Sequence, residues 1–436
     1  MIGVENQEEE ITMKSKKVVS LMLAAAMTAG LVTGCVKPTA GNAGSDVEQN
    51  EDSNKITIMS QDTTYGEAFE EYIKKAEEAT GLEIDTVACP TNTDDRQAKI
   101  TTILSSGDDS VDIITINDEM MSAFKNTGYL EPLQDTVMTE ELMQQFPQEY
   151  MKEMTMVGEN VYSVPCFMDI LAFWVDEEKM ENAELEEIKT KEDFEQYVKA
   201  NSGDGKYGYG DAWEKTYVFN SIGTFVNLFG GDYYDWTNPK TQEAVKFMYD
   251  MAKNGETPLA QLADQYDPMM QKFFDGDYAS IFMYVGAIQT FVNSGKYGED
   301  KQHLAPMPTF ENKTAYMSTW GYVLNAASKN KEAAQKFLEY AASEQGELDY
   351  TEMSSRLPAR ADVLNSEKLE AMGLAGLDEI RGYVNDTTLL ARPMAPQAME
   401  FISDMGSLFQ QYVSDELSLD EFCEKAQASV DTYINK

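Results

Sequence analysis

The 436-residue sequence contains one histidine. That excludes a metal site built on several imidazoles, and any Ser-His-Asp or Cys-His nucleophile would have to run through His303 alone. Cysteine is nearly as scarce. Cys35, Cys89, Cys166 and Cys423 form no C-x-x-C pair, which excludes a disulfide scaffold and a zinc site. Positive charge is short as well: 34 Lys and Arg stand against 76 Asp and Glu, a net charge of −42. A field of that sign repels phosphate backbones and anionic membrane surfaces, so no nucleic-acid partner is expected. There is no internal repeat. The apolar run Val18–Val32 is too short for a comfortable membrane span. What remains is ample for folding, with 42% hydrophobic and 11% aromatic residues. At ~100–200 residues per domain, the length suggests two or three domains.

The N-terminus carries an address. Lys14, Lys16 and Lys17 precede the apolar run, and Thr33, Gly34 and Cys35 follow it. This is the pattern of a secretory signal peptide, expected over residues 1–34. Glu5, Glu8, Glu9 and Glu10 fit that pattern badly, and Met13 is the better start. Val32-Thr33-Gly34-Cys35 resembles a bacterial lipobox, with Val in place of the commoner Leu. The resemblance implies cleavage before Cys35 and a lipid anchor on its sulfur. Residues 35–54 are rich in Gly, Ser, Asn and acids, and are expected to be a disordered tether. The protein would then sit at the cell membrane, facing outward. The alternative is an ordinary secreted protein with an accidental cysteine.

From Lys55 the pattern becomes β-α-β-α-β-α. KITIMS, LEIDTVAC and VDIITIN read as strands. Phe69, Tyr72, Ile73 and Ala76 recur at helical spacing, and Gly81 and Gly107 end helices. This is the signature of an α/β fold with a mostly parallel sheet. Ligands of such sheets bind at the carboxyl ends of strands, which points to Gln61, Asp62, Asn117, Asp118 and Glu119. A second unit follows. NVYSVPCFMDILAFWVD reads as a strand, a break at Pro165 and a second strand, and helical patterns recur near 191–200, 241–253 and 266–275. Ser418 and Glu421 form a capping box ahead of a last helix.

Several stretches together resemble a known group. They are QAKITTILSSGDDSVDIITIN, GYLEPL, NVYSVPCFMDILAFWVDEEKM, FFDGDYASIFMYVGA, HLAPMPTF, and the run from TWGYVLNAASKN to RLPARADVL. In this order, behind a lipobox, they resemble the extracellular solute-binding proteins of bacterial ABC importers, in the maltose-binding-protein-like group. The resemblance implies a two-lobe, type II periplasmic-binding-protein-like α/β fold with a hinge. Lobe 1 would be 55–167 plus 322–355, and lobe 2 would be 168–320 plus 356–436. It also implies a monomer without catalysis or cofactor that delivers a carbohydrate, expected to be an oligosaccharide, to the permease subunits.

A sugar presents flat C–H faces and many hydroxyls, so its site needs aromatic platforms and planar polar groups. Trp320 precedes a Gly at an implied crossing, and Trp213 lies in the polar stretch GYGDAWEK. Tyr284 matches a position where the group often places a cleft aromatic. Each has a core-packing alternative, while Trp174 reads as core and Trp236 as a loop cap. The polar candidates are Asp62, Asn117, Asp118, Asp169, Asp232 and Arg356, at strand ends, crossings or Gly-flanked loops. Among 76 acids, a solvated surface charge is the rival reading of each. Two other functions stay open: a binding protein for a cation such as a polyamine, and a surface glycoside hydrolase. Acids gathered around aromatics would favour the cation, whereas Asn and Arg with Trp would favour the sugar.

Overall fold

A computed structural model of the chain describes residues 54–90 and 93–434. Cys35, the signal peptide and nearly all of the tether lie outside the described residues. The strands in chain order begin with β1 (Lys55–Ser60), β2 (Glu83–Ala88) and β3 (Ile113–Asn117). A short hairpin, β4 (Met156–Val157) and β5 (Asn160–Val161), precedes β6 (Val164–Pro165) and β7 (Asp169–Asp176). Then come β8 (Tyr207–Tyr209), β9 (Tyr278–Tyr284) and β10 (Gln302–Ala305). The last are β11 (Thr314–Ser318), β12 (Trp320–Leu324) and β13 (Thr388–Ala391).

Two sheets organise the molecule. The first runs β2-β1-β3-β12-β6, and the second runs β13-β11-β7-β9-β8 with β10 beside β7. The first half of the first sheet is parallel, as the β-α-β pattern requires. The helix Glu67–Thr80 buries Phe69, Tyr72, Ile73 and Ala76 on one face, and Gly81 closes it at φ 70° in the left-handed region. The expectation of a mostly parallel sheet fails beyond β3. Strand β12 pairs with β3 antiparallel because it arrives directly from the second sheet, with Thr319 alone separating it from β11. The centre of the second sheet is antiparallel too, β7 against both β9 and β11. The helices expected near 191–200, 241–253 and 266–275 are Lys191–Ala200, Pro239–Lys253 and Tyr266–Phe274. Ser418 and Glu421 form the expected capping box.

Buried apolar side chains cover both sheets. Around the second, Phe173, Phe194, Phe225 and Phe282 are all buried. Their ring centroids lie 5.3 Å apart for Phe173–Phe282 and 5.7 Å for Phe225–Phe282. Contacts of this kind add ~0.5–1.5 kcal/mol each beyond area burial. In the first, the buried Asp112 carboxylate accepts the Thr57 N–H at 2.8 Å and the Ser328 hydroxyl at 2.6 Å, tying β1 to the turn after β12.

The chain passes between the sheets at three places that touch one another. Residues 166–168 connect β6 to β7, and Thr319 connects β11 to β12. The Cys166 N–H donates to the Trp320 carbonyl at 2.7 Å, and the Phe167 N–H to the Thr319 hydroxyl at 3.3 Å. At the third passage, Ser355 is left-handed (φ 57°) after the helix Glu344–Ser354, and the Met168 N–H donates to the Leu357 carbonyl at 2.9 Å. Packing is close at Gly321, where a Cβ would stand 2.0 Å from the Ser163 hydroxyl oxygen and would force that side chain to turn away. Among the described residues, no helix is long and apolar enough to cross a membrane.

Candidate ligand-binding cleft

The end of β3 and the start of β12 share one sheet edge, since Asn117 and Trp320 are paired in register. Asn117 caps the helix Asp118–Phe124 by accepting the Met120 N–H at 3.1 Å. This edge faces the second sheet across a cleft with two compartments. The inner one, about 360 Å³, lies between Asn117, Glu119 and Met120 on one side and Asp211, Tyr217, Phe219, Tyr284 and Arg392 on the other. The outer one, about 640 Å³, is bounded by Trp320, Asp169, Arg356, Gln265 and Tyr266. Tyr217, Gln265, Tyr266 and Tyr284 line both, so the two spaces adjoin one another.

Four of the nine expected ligand residues line the outer compartment, and Asn117 joins Tyr284 on the inner wall. Trp320 is half-buried, with the Arg96 guanidinium 5.0 Å from its ring centroid. That cation–π contact holds the indole in place. Arg356 donates to Asp169 at 3.0 Å, and its guanidinium also lies 4.3 Å from the Phe167 ring centroid. The Gly286 N–H donates to the other Asp169 oxygen at 2.9 Å. Burial raises the Asp169 carboxyl above the usual carboxylate range, and Arg356 and the Gly286 N–H oppose it. Tyr284 carries a buried hydroxyl without a hydrogen-bond partner.

The other four stand elsewhere. Trp213, expected to lack core neighbours, is fully buried and packs edge-on against Phe409 at 5.2 Å, because the stretch Gly210–Trp213 runs inside the protein, with Asp211 buried on its own hydrogen bonds. Asp232 is exposed on a different loop, where it accepts the Tyr234 N–H at 2.8 Å and borders a separate space behind Arg392. Asp62 is buried under the crossings, held by the Ser60 and Tyr350 hydroxyls. Burial pushes its carboxyl up to about 6, against those hydrogen bonds. Asp118 is buried behind the inner wall and accepts the Tyr150 hydroxyl at 2.7 Å. It also accepts the Arg392 Nε at 3.1 Å and Nη2 at 3.0 Å. Burial raises its carboxyl while Arg392 opposes the shift. Asp118 therefore positions Arg392, and it is Arg392 that reaches the cavity.

Arg392, Arg96, Tyr217 and Tyr266 were not legible as site residues from local pattern. One compositional signal was available. The chain has only five arginines, and Arg96, Arg356 and Arg392 all line the cleft. Two of them face carboxylates: Arg356 pairs with Asp169, and Arg392 with Asp118 and, at 3.1 Å, with Glu119. Asp211 is likewise occupied, accepting the Ser221 hydroxyl at 2.7 Å, the Ala212 N–H and the Tyr209 hydroxyl. The cleft is thus an aromatic surface edged by planar amides and guanidinium groups whose carboxylate neighbours are already engaged. Such a surface suits hydroxyl-rich, uncharged solutes.

Comparison with known proteins agrees with this architecture. The galactooligosaccharide-binding protein of Bacillus subtilis is 24% identical over 222 residues, 48% of this chain and 52% of that protein. The chain thus spans about half the length of the curated relative it matches. The maltose-bound MalE3 of T. maritima superposes with a TM-score of 0.69 at 18% identity, covering 87% of this chain and 99% of that one. The sugar-binding protein MalE of Xanthomonas citri gives a TM-score of 0.71 at 18% identity, covering 87% and 96%. These are binding proteins, and the fold is the two-lobe type II arrangement. The model of the bacterial extracellular solute-binding protein family matches residues 60–348, more than half of the sequence, and the chain belongs to that family.

Proposed function

We propose that this protein captures an oligosaccharide between its two lobes and hands it to the permease of an ABC importer. The observation that carries the reading is the cleft wall: Trp320, Tyr284, Tyr266 and Tyr217 offer flat faces, and Asn117, Arg356 and Arg392 offer planar hydrogen-bonding groups. Galactooligosaccharide and maltose, the ligands named for the relatives, have the chemistry this wall suits. A polyamine needs several unengaged carboxylates, and here Asp169 and Asp118 are taken by arginines, Asp211 by three hydrogen bonds, and Glu119 meets Arg392 through one of its two oxygens. The protein performs no chemistry on its ligand. Lobe 1 comprises 55–167 plus 320–355, because Trp320 and Gly321 belong to β12 of the first sheet, lobe 2 comprises 168–318 plus 356–436, and the passages at 166–168, 319 and 355–357 act as the hinge. The monomer is anchored by a lipid on Cys35 at the outer side of the cytoplasmic membrane, and residues 35–54 are its tether.

Differential scanning fluorimetry against a panel of sugars and polyamines tests this. A ligand that binds only the folded state stabilises it by RT ln(1 + [L]/Kd), ~2.7 kcal/mol at a hundredfold excess over Kd. The expected result is a rise in Tm with one or more neutral oligosaccharides. A rise with spermidine alone would overturn the reading.

A further inference from the structure

The charge pattern of the inner compartment goes beyond general sugar binding. Three arginines around a cleft would ordinarily suggest an acidic ligand, since a guanidinium fork matches a carboxylate or sulfate. In this cleft, two of the three arginines already face carboxylates. Arg392 spends Nε and Nη2 on Asp118, and Nη2 also meets Glu119 Oε1 at 3.1 Å. Its guanidinium therefore faces two carboxylates. The second oxygen of Glu119, Oε2, has no hydrogen-bond partner, and Glu119 lines the cavity. Arg96 lies against the Trp320 ring and donates to the Pro90 carbonyl. Asp211 adds a further negative charge to the wall. The wall itself carries two carboxylates and two guanidinium groups, and Asp118 behind Arg392 makes the local count three carboxylates to two cations, with Glu119 as the wall carboxylate that keeps an oxygen unsatisfied.

We propose that Glu119 is a specificity-determining residue of this cleft, admitting neutral sugars and rejecting sugars that carry a carboxylate or sulfate. A neutral ring can donate a hydroxyl to Glu119 Oε2 once the side chain turns toward it. An anionic ring would set its charge beside Glu119 and Asp211, while Arg392 already faces the carboxylates of Asp118 and Glu119. Discrimination of this kind comes from the repulsive element as much as from the attractive one. The proposal rests on the carbohydrate reading above, and its test separates the two.

Isothermal titration calorimetry would compare matched pairs that differ only in a C6 hydroxymethyl or carboxylate: galactobiose with digalacturonate, and cellobiose with cellobiouronate. For any pair that binds, the wild-type protein should prefer the neutral member by about tenfold or more. Glu119→Gln, which retains an oxygen toward Arg392, should shrink that preference at least about threefold. Glu119→Asp, which retains the charge, should preserve the preference, and added NaCl should weaken it. A wild-type protein that binds the acidic member as tightly as the neutral one would overturn the proposal and leave carbohydrate binding intact. So would an unchanged preference in a folded Glu119→Gln variant. Binding of spermidine with none of either sugar class would overturn the carbohydrate reading and this proposal together.

Discussion

Replacing Asp118 by Ala should destabilise the protein more than removal of any surface acid. The carboxylate is 1% exposed and accepts three hydrogen bonds, one from Tyr150 and two from Arg392. Removing one partner of a buried pair typically costs ~3–5 kcal/mol, because the surviving charge is left uncompensated. Glu119 remains 3.1 Å from the guanidinium, which places the loss at the lower end, ~3 kcal/mol. At ~2.1 cal/mol/K per residue, a folded body of ~380 residues unfolds with an entropy of ~0.8 kcal/mol/K, so Tm should fall by ~4 °C. The assay is thermal unfolding followed by circular dichroism. Arg392→Met paired with Asp118→Ala should recover part of the loss, since neither charge is then buried alone. A fall in Tm below ~1 °C for Asp118→Ala would refute the reasoning, because it would mean the pair is solvated in the folded state.

Other outcomes follow from the same structure. The Asp62 carboxyl is pushed from 3.8 to about 6, so the folded state binds an extra proton between those values. The contribution of this group to stability therefore falls as pH rises from ~4 to ~6, by ~3 kcal/mol at 1.36 kcal/mol per pH unit. Asp62→Asn should accordingly raise Tm at pH 7.5 and change it little at pH 3.5, and an equal shift at both would contradict the assignment. Trp213→Ala should cost ~3–5 kcal/mol of stability, since the ring is fully buried against Phe409. The folded fraction should still bind sugar, which calorimetry would check. Cys35→Ala should abolish incorporation of a palmitate analogue during metabolic labelling, and persistent labelling would rule out the anchor.

Much of the fold can be read from this sequence because its signals are local. KITIMS and VDIITIN are β runs that stay strands, and the spacing of Phe69, Tyr72, Ile73 and Ala76 fixes a helix face. The antiparallel entry of β12 could not be read locally, because the connection through Thr319 is a long-range event. The site was partly legible for the same reason. Asn117 and Trp320 stand at the ends of recognisable strands, and both reach the cleft. Trp213 misled because its neighbours Gly210, Asp211, Glu214 and Lys215 are polar or small, which hides a ring that points inward. Asp62 and Asp118 stand at strand ends and read as ligand contacts, yet both are buried and held by the protein itself. Their partners Tyr350 and Arg392 lie 288 and 274 residues away in sequence, so no local pattern could show that each is occupied by protein.

The central claim is that a carbohydrate lies against Trp320 in the cleft. Calorimetric titration of a galactooligosaccharide mixture into wild-type protein and Trp320→Ala tests it most directly. Stacking adds ~0.5–1.5 kcal/mol beyond the area the ring buries, so together the loss should exceed ~1.4 kcal/mol, one decade in Kd. The account predicts saturable binding by the wild type and at least tenfold weaker binding by a Trp320→Ala protein whose Tm is little changed. Equal affinities in the two proteins would contradict it.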